Sequence, residues 1–319
     1  MTTTALVTGA SGFLGGHVVA ELRAHGYRVI SNGRNAAALP TGGPTLVGDL
    51  DALASAEVPA DVVVHCAALS TPWARWSELE HANVTGTGRV MDFARRNGVR
   101  RVVHVSSPSI YAAPRDALGI TEDQVDPGNR LTGYIRSKIA AEALLRRERE
   151  RPGSPEVVVL RPRGIVGAGD PSLVPRLLEV HDRIGIPLFD GGRALVDLTS
   201  VENAAMALRL AAETPGVDGG VFNVTNDDPR PFRELLDQLF ALLGRTPRYR
   251  RLPTRPLYAV AGLLEKVHAV LPGRPEPPLM RYTLSTVAFS QTLDITRARE
   301  QLGYRPLVGL DESLASYAR

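Results

Sequence analysis

Three side chains in the middle of the sequence could move a proton to or from a substrate oxygen. Tyr134 and Lys138 are four residues apart in the stretch GYIRSKIAAEALL, whose apolar pattern predicts a helix with both side chains on one face. An ammonium beside a phenol favours the phenolate, so Lys138 is expected to lower the tyrosine pKa from its usual value of about 10. Ser106 or Ser107, at the end of the apolar stretch RVVHVSS, could hydrogen-bond the same oxygen. Such a set suits acid–base chemistry on a carbonyl or a carbinol, whereas a turn-forming serine pair and a surface tyrosine are the structural alternative.

A glycine-rich turn near the start of the chain predicts a site for the phosphates of a dinucleotide. In the stretch ALVTGASGFLGGHVVAEL, residues 5–22, a short apolar strand leads into a turn and then into an apolar pattern with helical spacing. Gly9 can adopt the conformation of the turn, Gly12 lets the backbone approach a ligand, and Gly15 lets the helix pack closely on the strand. Free N–H groups at the helix N-terminus would attract a pyrophosphate, although a glycine-rich turn without a ligand is the alternative.

The end of the second apolar strand indicates which dinucleotide is preferred. About 20 residues after the glycine turn, NAD-specific folds place an acid on the ribose hydroxyls. The sequence there is SNGRN, which contains no Asp or Glu. Gly33 leaves room and Arg34 supplies a cation suited to a 2′-phosphate, unless Arg34 is simply a solvated loop residue. We therefore expect NADP, with NAD as the second option. Asp49, after the third strand, could accept a hydrogen bond from the adenine amino group or cap the next helix.

Composition and charge argue against several classes of protein. The 319 residues are 44% hydrophobic, enough for a large core, and 37 basic against 34 acidic side chains give a formal net charge of +3. The densest basic run, RRERER at residues 146–151, ends a predicted helix and is typical of a solvated face, so no nucleic-acid partner is expected. The single cysteine, Cys66, offers neither a disulfide nor a zinc site. No signal peptide or membrane span is evident, so we expect a cytoplasmic protein without a metal.

Apolar strands alternate with helical patterns through the first half of the chain. The strands YRVIS, TLVGD, DVVVHCAA, RVVHVSS and EVVVLRP are largely apolar, as expected of parallel strands buried on both faces. The predicted fold is therefore α/β, a Rossmann-type doubly wound parallel sheet with a smaller C-terminal lobe that covers the substrate. We assign residues 1–170, with returning segments at about 195–225, to the NAD(P)-binding domain, and about 171–194 and 226–319 to the substrate-binding lobe.

Taken in order, these motifs resemble those of the extended short-chain dehydrogenases/reductases, the NAD(P)-dependent epimerase/dehydratase superfamily. TGASGFLG, GDL, HCAA, NVTGT, VSSPSIY, YIRSK and LRPRGIVGAGD all occur in the family's order, and the resemblance covers nearly the whole chain. It implies that Ser107, Tyr134 and Lys138 are catalytic, with Lys138 holding the nicotinamide ribose. It also implies a cofactor role for Asn83, which could equally tie a strand to a helix. The cofactor-binding residues expected from the motifs and the resemblance are Gly9, Ser11, Gly12, Phe13, Leu14, Gly15, Arg34, Asp49, Leu50, Ala67, Ala68, Asn83, Ser106, Tyr134, Lys138 and Pro162.

Within this family the chain is most similar to the 3β-hydroxysteroid dehydrogenase-like branch. SSPSIY, LVDLTSVEN and TLDITRAREQLGYRP carry that similarity, above all to the bacterial 2-alkyl-3-oxoalkanoate reductases of long-chain olefin synthesis. The resemblance implies an NADPH-dependent reduction of a 3-oxo acid, or the reverse oxidation, on a lipid-like or steroid-like small molecule. The apolar segment at residues 257–271 also favours such a substrate, and Arg163 or Arg193 could pair with its carboxylate.

Two other functions and the assembly state remain open. A nucleotide-sugar epimerase or dehydratase uses the same three catalytic groups with bound NAD, but would usually carry the acid that SNGRN lacks. A Rossmann protein that senses NADP without turning it over would not need a proton relay. The resemblance also implies a homodimer, formed through the helix that carries Val90, Met91 and Phe93 and the helix that carries the catalytic tyrosine. Those apolar faces could equally pack on their own sheet.

Overall fold

The computed structural model describes residues 2–318, which form an α/β body and a smaller lobe. A π-helical turn, Glu80–Thr85, and four 3₁₀ segments, Ala36–Ala38, Pro108–Tyr111, Asp190–Gly192 and Ser316–Ala318, complete the regular structure. The strands are β1 (Thr4–Thr8), β2 (Arg28–Gly33), β3 (Thr45–Val47), β4 (Val62–His65), β5 (Arg101–Val105), β6 (Ala117–Ile120), β7 (Glu156–Pro162), β8 (Ile165–Val166), β9 (Ile186–Phe189), β10 (Leu195–Val196), β11 (Thr199–Ser200), β12 (Val221–Val224), β13 (Arg230–Pro231), β14 (Tyr249–Leu252) and β15 (Gln291–Leu293). The α-helices are α1 (Phe13–Ala24), α2 (Leu50–Ala54), α3 (Trp76–Leu79), α4 (Gly86–Arg96), α5 (Gly133–Arg149), α6 (Leu173–Ile184), α7 (Val201–Glu213), α8 (Phe232–Leu242), α9 (Thr254–Val270), α10 (Arg281–Val287), α11 (Thr296–Gln301) and α12 (Leu310–Ala315).

The largest sheet has seven parallel strands in the order β12-β7-β5-β4-β1-β2-β3. The chain moves outward from β1 to β3, then returns to β4 on the other side of β1 and moves outward again. This arrangement confirms the predicted α/β class and the Rossmann-type sheet. The order reverses between β1 and β4, so the loops that follow these two strands diverge and leave a crevice at the carboxyl edge.

Two apolar layers cover the faces of this sheet, because successive residues of each strand point to opposite sides. On one face Ala5 and Val7 of β1 pack with α1 and α7. On the other face Leu6 packs with α4 and α5. Val90, Met91 and Phe93 of α4 are fully buried in that second layer. These three side chains therefore pack on their own sheet, which was the alternative to a dimer interface. A homodimer stays a prediction.

The smaller lobe is built from short strands and helices that are far apart in sequence. One four-stranded sheet has the order β13-β10-β15-β6, and β14 pairs with β9. Two of its members, Ala117–Ile120 and Leu195–Val196, fall in segments that the sequence assigned to the NAD(P)-binding domain. The small sheet thus draws chain from both sides of the expected boundaries, because β6 and β15 pair across more than half of the sequence.

The long helix α9 carries a row of apolar side chains that face solvent. Val260, Leu263, Val267 and Val270 are all exposed, whereas Ala261 is buried against the lobe. These four side chains lie on the outer side of α9, and a role of the segment at 257–271 in covering a substrate stays a prediction. None of the helices among residues 2–318 is both long and apolar enough to cross a membrane.

Candidate active site

The glycine turn lies at the carboxyl end of β1, beside the crevice. Gly9 has a left-handed backbone (φ +68°), and a Cβ there would lie 2.7 Å from the backbone nitrogen of Ala67. A Cβ on Gly15 would lie 2.1 Å from the carbonyl oxygen of Gly9. At positions 9 and 15, therefore, glycine is required because one stretch of backbone approaches another too closely for any side chain.

The N-terminus of α1 is open to an anionic ligand. Gly12 caps the helix without a side chain, and the first turn contains no acidic residue. Ser11 and Gly12 are exposed, while Phe13 and Leu14 are half-buried. The N–H of Gly12 donates to the Gly9 carbonyl (2.9 Å), whereas those of Phe13 and Leu14 at the helix start remain able to donate, and the helix dipole favours negative charge. The cradle therefore fits a pyrophosphate, the group through which a dinucleotide would be held.

The residues after β2 and β3 leave room for the ribose end of a dinucleotide. Gly33 ends β2 beside Ser11, since a Cβ on Gly33 would lie 3.0 Å from the Ser11 hydroxyl oxygen. Arg34 is exposed and takes part in no ion pair formed within residues 2–318. Asp49 caps α2 by accepting a hydrogen bond of 2.9 Å from the backbone N–H of Ala52. The capping role is therefore present, whereas an adenine contact of Asp49 stays a prediction.

Four other residues expected at the cofactor lie at or shortly after the carboxyl ends of strands. Leu50 begins α2 and is half-buried. Ala67 donates its backbone N–H to the Thr8 hydroxyl oxygen (3.3 Å), and Ala68 is exposed. Pro162 ends β7 and is buried. The sheet thus brings these positions to the edge where the glycine turn lies.

Asn83 has a structural role that uses its whole side-chain amide. Its oxygen accepts from the backbone N–H of Leu69 (2.7 Å), and its nitrogen donates to the Leu69 carbonyl (2.9 Å) and the Ser137 hydroxyl (2.9 Å). The side chain therefore ties the loop after β4 to α5. This is the structural alternative raised by the sequence, and it orients the helix that carries Tyr134 and Lys138.

Ser107, Tyr134 and Lys138 meet where β5 ends against the start of α5. Ser107 follows β5, and its hydroxyl lies beside the Tyr134 phenol. Lys138 is buried, and its Nζ donates a hydrogen bond of 2.9 Å to the carbonyl of Val105, the last residue of β5. The distance from Nζ to the centroid of the Tyr134 ring is 5.9 Å. The three groups, which come from two separate segments of the sequence, therefore lie close together in the structure.

The pKa values of this set differ from the expectation. Burial raises the pKa of Tyr134, the negative charge that Tyr282 would carry raises it further, and the neighbouring Ser107 hydroxyl lowers it. Burial lowers the pKa of Lys138 to about 8, partly opposed by Glu142. The prediction that Lys138 lowers the Tyr134 pKa is therefore wrong for the protein chain by itself. The reason is geometric, because the ammonium points to the Val105 carbonyl and the phenol loses solvent.

A buried ionic network lies under the catalytic helix, and the sequence did not predict it. The Ser106 hydroxyl donates to Glu142 Oε1 (2.5 Å), so this serine faces away from the Tyr134 phenol. Arg161 holds the same carboxylate through two bonds of 2.9 and 2.5 Å and also donates to the Tyr111 hydroxyl (2.5 Å). The spacing of Glu142, four residues after Lys138 on the same helix face, is the sequence feature that could have indicated a carboxylate near the lysine. The network fixes α5 to β7 and places a carboxylate near the lysine.

Two further side chains reach the same site from distant parts of the sequence. Tyr282 of α10 is half-buried beside Ser109, and it interacts electrostatically with both Tyr134 and Arg163. Arg163 follows β7 and is 6% exposed. Arg193, the other arginine suggested for a carboxylate, is exposed and paired with Asp190. No sequence pattern links α10 to the active site, because only the tertiary fold brings it there.

Comparison with known proteins shows what this arrangement is similar to. The model of the NAD dependent epimerase/dehydratase family matches residues 5–225. The 2-alkyl-3-oxoalkanoate reductase of Stenotrophomonas maltophilia (strain K279a) is 32% identical over 320 residues, 97% of this chain and 96% of that protein. The decarboxylating sterol-4-alpha-carboxylate 3-dehydrogenase of Mus musculus is 32% identical over 329 residues, 97% of this chain and 88% of that protein. Among solved structures, MoeE5 in complex with UDP-glucose and NAD has a TM-score of 0.78 at 28% identity, over 99% of this chain and 97% of that one.

Proposed function

The chain is an oxidoreductase that belongs to the NAD-dependent epimerase/dehydratase family, and we propose that it interconverts a ketone and a secondary alcohol with NADP. The proposed substrate is a lipid-like 3-oxo or 3-hydroxy acid, or a steroid-like relative. The proximity of Ser107, Tyr134 and Lys138 at the carboxyl end of β5, on the same edge of the sheet as the glycine turn, carries this proposal. The reductase and dehydrogenase relatives support the class of substrate, because the names of both describe a carboxylated ketone or alcohol.

Each of the three catalytic groups has one task. When bound, the nicotinamide cofactor supplies or accepts the hydride. Tyr134 gives its proton to the oxygen of the ketone during reduction and takes it back during oxidation. Ser107 donates a hydrogen bond to the same oxygen as negative charge develops on it. Lys138 holds the nicotinamide ribose, and its depressed pKa of about 8 leaves most of the lysine charged at neutral pH.

We propose NADP as the cofactor because Arg34 stands where an acid would select NAD. An Arg34→Glu variant is expected to shift the ratio of kcat/KM for NADPH over NADH at least about tenfold towards NADH, since hydrogen bonds to charged groups contribute about 1.5–3 kcal/mol. Arg28→Glu is the matched control, because Arg28 is exposed at the opposite end of the same strand. If both variants change the ratio equally, net charge alone is responsible and Arg34 does not contact the cofactor.

A nucleotide-sugar epimerase or dehydratase is the second candidate function. The similarity to MoeE5, whose structure contains UDP-glucose and NAD, favours it. Against it stands SNGRN, which lacks the acid expected for an enzyme that keeps NAD bound. A protein that only senses NADP is a weaker alternative, because Ser107, Tyr134 and Lys138 are all present and close together.

One experiment separates these functions. The purified protein is incubated with NADP or NAD and with long-chain 3-hydroxy acids, hydroxysteroids or nucleotide sugars, and the absorbance of reduced nicotinamide is followed. We expect reduced cofactor to accumulate with NADP and a hydroxy acid or hydroxysteroid. A nucleotide sugar that changes while no reduced cofactor accumulates would instead identify an epimerase or dehydratase. NADP binding without turnover of any substrate would support a sensor.

A further inference from the structure

Arg163 is a buried cation at the edge of the sheet that faces the crevice. It directly follows β7, which pairs with β5, the strand that leads to Ser107. Only 6% of its surface is exposed. Arginine is rarely buried to this extent unless a carboxylate or phosphate pairs with it, because removing its charge from water is costly.

Residues 2–318 supply no such partner. The guanidinium makes no ion pair within 4.0 Å and donates no hydrogen bond to another residue of this range. Its nitrogens are not completely enclosed by protein, so they keep some exposure. Burial lowers the pKa of the guanidinium, which is what an uncompensated buried charge should show.

The nearest acid is poorly suited to neutralise this charge. Asp197 interacts with Arg163 only at longer range, and its carboxylate accepts a hydrogen bond from the Leu293 backbone N–H (2.7 Å). Burial raises the pKa of Asp197 to about 6, so its carboxylate is mostly ionised at neutral pH, but it forms no ion pair with Arg163 within 4.0 Å. The second neighbour is the Tyr282 hydroxyl, which carries no charge at neutral pH, and burial raises its pKa further above that range.

Tyr282 connects this cation to the catalytic phenol. The Tyr282 phenol is near enough to interact electrostatically with both Arg163 and Tyr134. In a 3-oxo or 3-hydroxy acid the carboxylate and the reacting oxygen are on carbons separated by a single carbon. Such a substrate needs a cation and a proton donor in the same part of the site, and an arginine fork matches a carboxylate.

We propose that Arg163 binds the carboxylate of the substrate and selects 3-oxo and 3-hydroxy acids over their esters. This inference rests on the proposed reductase function and adds the residue that determines its specificity. The substrate carboxylate supplies the negative charge that no residue of 2–318 places against Arg163. Pairing with it therefore stabilises a buried cation and contributes to substrate binding. The same carboxylate is oriented by two N–H donors, which places the neighbouring oxygen against Tyr134 and Ser107.

The first test compares a 3-hydroxy acid with its methyl ester in wild type and Arg163→Gln. With NADP, the ratio of kcat/KM for the acid over the ester is expected to fall at least about tenfold in the variant, the loss typical of a hydrogen-bonded charge pair. Arg193→Gln is the matched control, since Arg193 is an exposed arginine already paired with Asp190. An unchanged ratio in Arg163→Gln would overturn the proposal.

The second test does not depend on turnover. Binding of the 3-hydroxy acid is measured by calorimetry with NADPH present, because the cofactor and the hydroxy acid are then both already reduced and no hydride can be transferred. The Tm of the protein without ligands is measured in parallel. Arg163→Gln should weaken binding of the acid at least about tenfold and leave the Tm equal or higher, because an unpaired buried charge has been removed. A lower Tm with unchanged affinity would show a structural arginine. If wild type binds the acid but oxidises neither compound, the proposed function fails while the carboxylate site stands.

Discussion

A Tyr134→Phe variant is expected to lose turnover by about 10²- to 10⁴-fold, the contribution of a positioned proton donor. The change removes only the hydroxyl, so the ring remains at the start of α5 beside Ser107. Because burial raises the pKa of this phenol, the protonated form dominates at neutral pH and is ready to donate during ketone reduction. Cofactor affinity should stay within about threefold of wild type, since Lys138 and the glycine turn are untouched. Steady-state kinetics and calorimetry with NADP measure the two quantities separately.

Tyr27→Phe is the matched control for this variant. Tyr27 is half-buried before β2, and its hydroxyl donates to Glu213 (3.2 Å) away from the crevice. Loss of that hydroxyl should leave kcat unchanged, so a common effect of both changes would point to stability instead of chemistry. If Tyr134→Phe retains turnover within a factor of about 10, another group supplies the proton. The proposed mechanism would then have to be replaced.

The parts of the fold that follow from local sequence could be predicted. Six of the seven strands of the large sheet were recognisable as short apolar runs, and their order along the chain implied parallel crossovers. The close approach at Gly15 also followed from sequence, because a turn between a strand and a helix has little room. Local pattern therefore determines the sheet and the position of the turn.

The chemistry of the site depended on contacts that sequence patterns do not record. Tyr282 and Arg163 are separated by more than a hundred residues, and only the lobe around α10 brings them together. The direction of the Tyr134 pKa was also missed, since spacing places Lys138 near the phenol but does not reveal how much solvent both groups lose. Burial depends on the whole fold, and here it raises the Tyr134 pKa that the neighbouring lysine alone was expected to lower.

The buried charged groups of this site differ in whether another residue neutralises them. Arg161 and Glu142 neutralise each other and hold Ser106, so they fix α5 without leaving a charge unpaired. Lys138 and Arg163 instead have depressed pKa values, which means that the fold disfavours their charged forms. The first pair therefore positions the helix. Lys138 and Arg163 form no ion pair within residues 2–318, so an anionic or polar ligand would stabilise their charged forms.

A Gly15→Ala variant is expected to bind NADP at least about 100-fold more weakly and to lose about 3 kcal/mol of unfolding free energy, an overpacking effect at the upper end of the usual range. The added Cβ would lie 2.1 Å from the Gly9 carbonyl oxygen and 2.7 Å from the Gly9 carbonyl carbon. Both are backbone atoms, so the start of α1 must move away from the turn. That movement displaces the N–H groups that are proposed to hold the pyrophosphate. Calorimetry with NADP and urea unfolding measure the two effects.

Gly16→Ala is the neighbouring control that separates this close approach from any general intolerance of alanine in α1. A Cβ on Gly16 would lie 3.7 Å from the Ala10 carbonyl oxygen, which is ordinary van der Waals contact. Alanine is favoured over glycine inside a helix by about 0.8–1.0 kcal/mol, so this variant should be as stable as wild type or more so. NADP affinity should be unchanged. Equal losses in both variants would mean that the contact between Gly15 and Gly9 is not what shapes the turn, and the proposed pyrophosphate site would lose its structural basis.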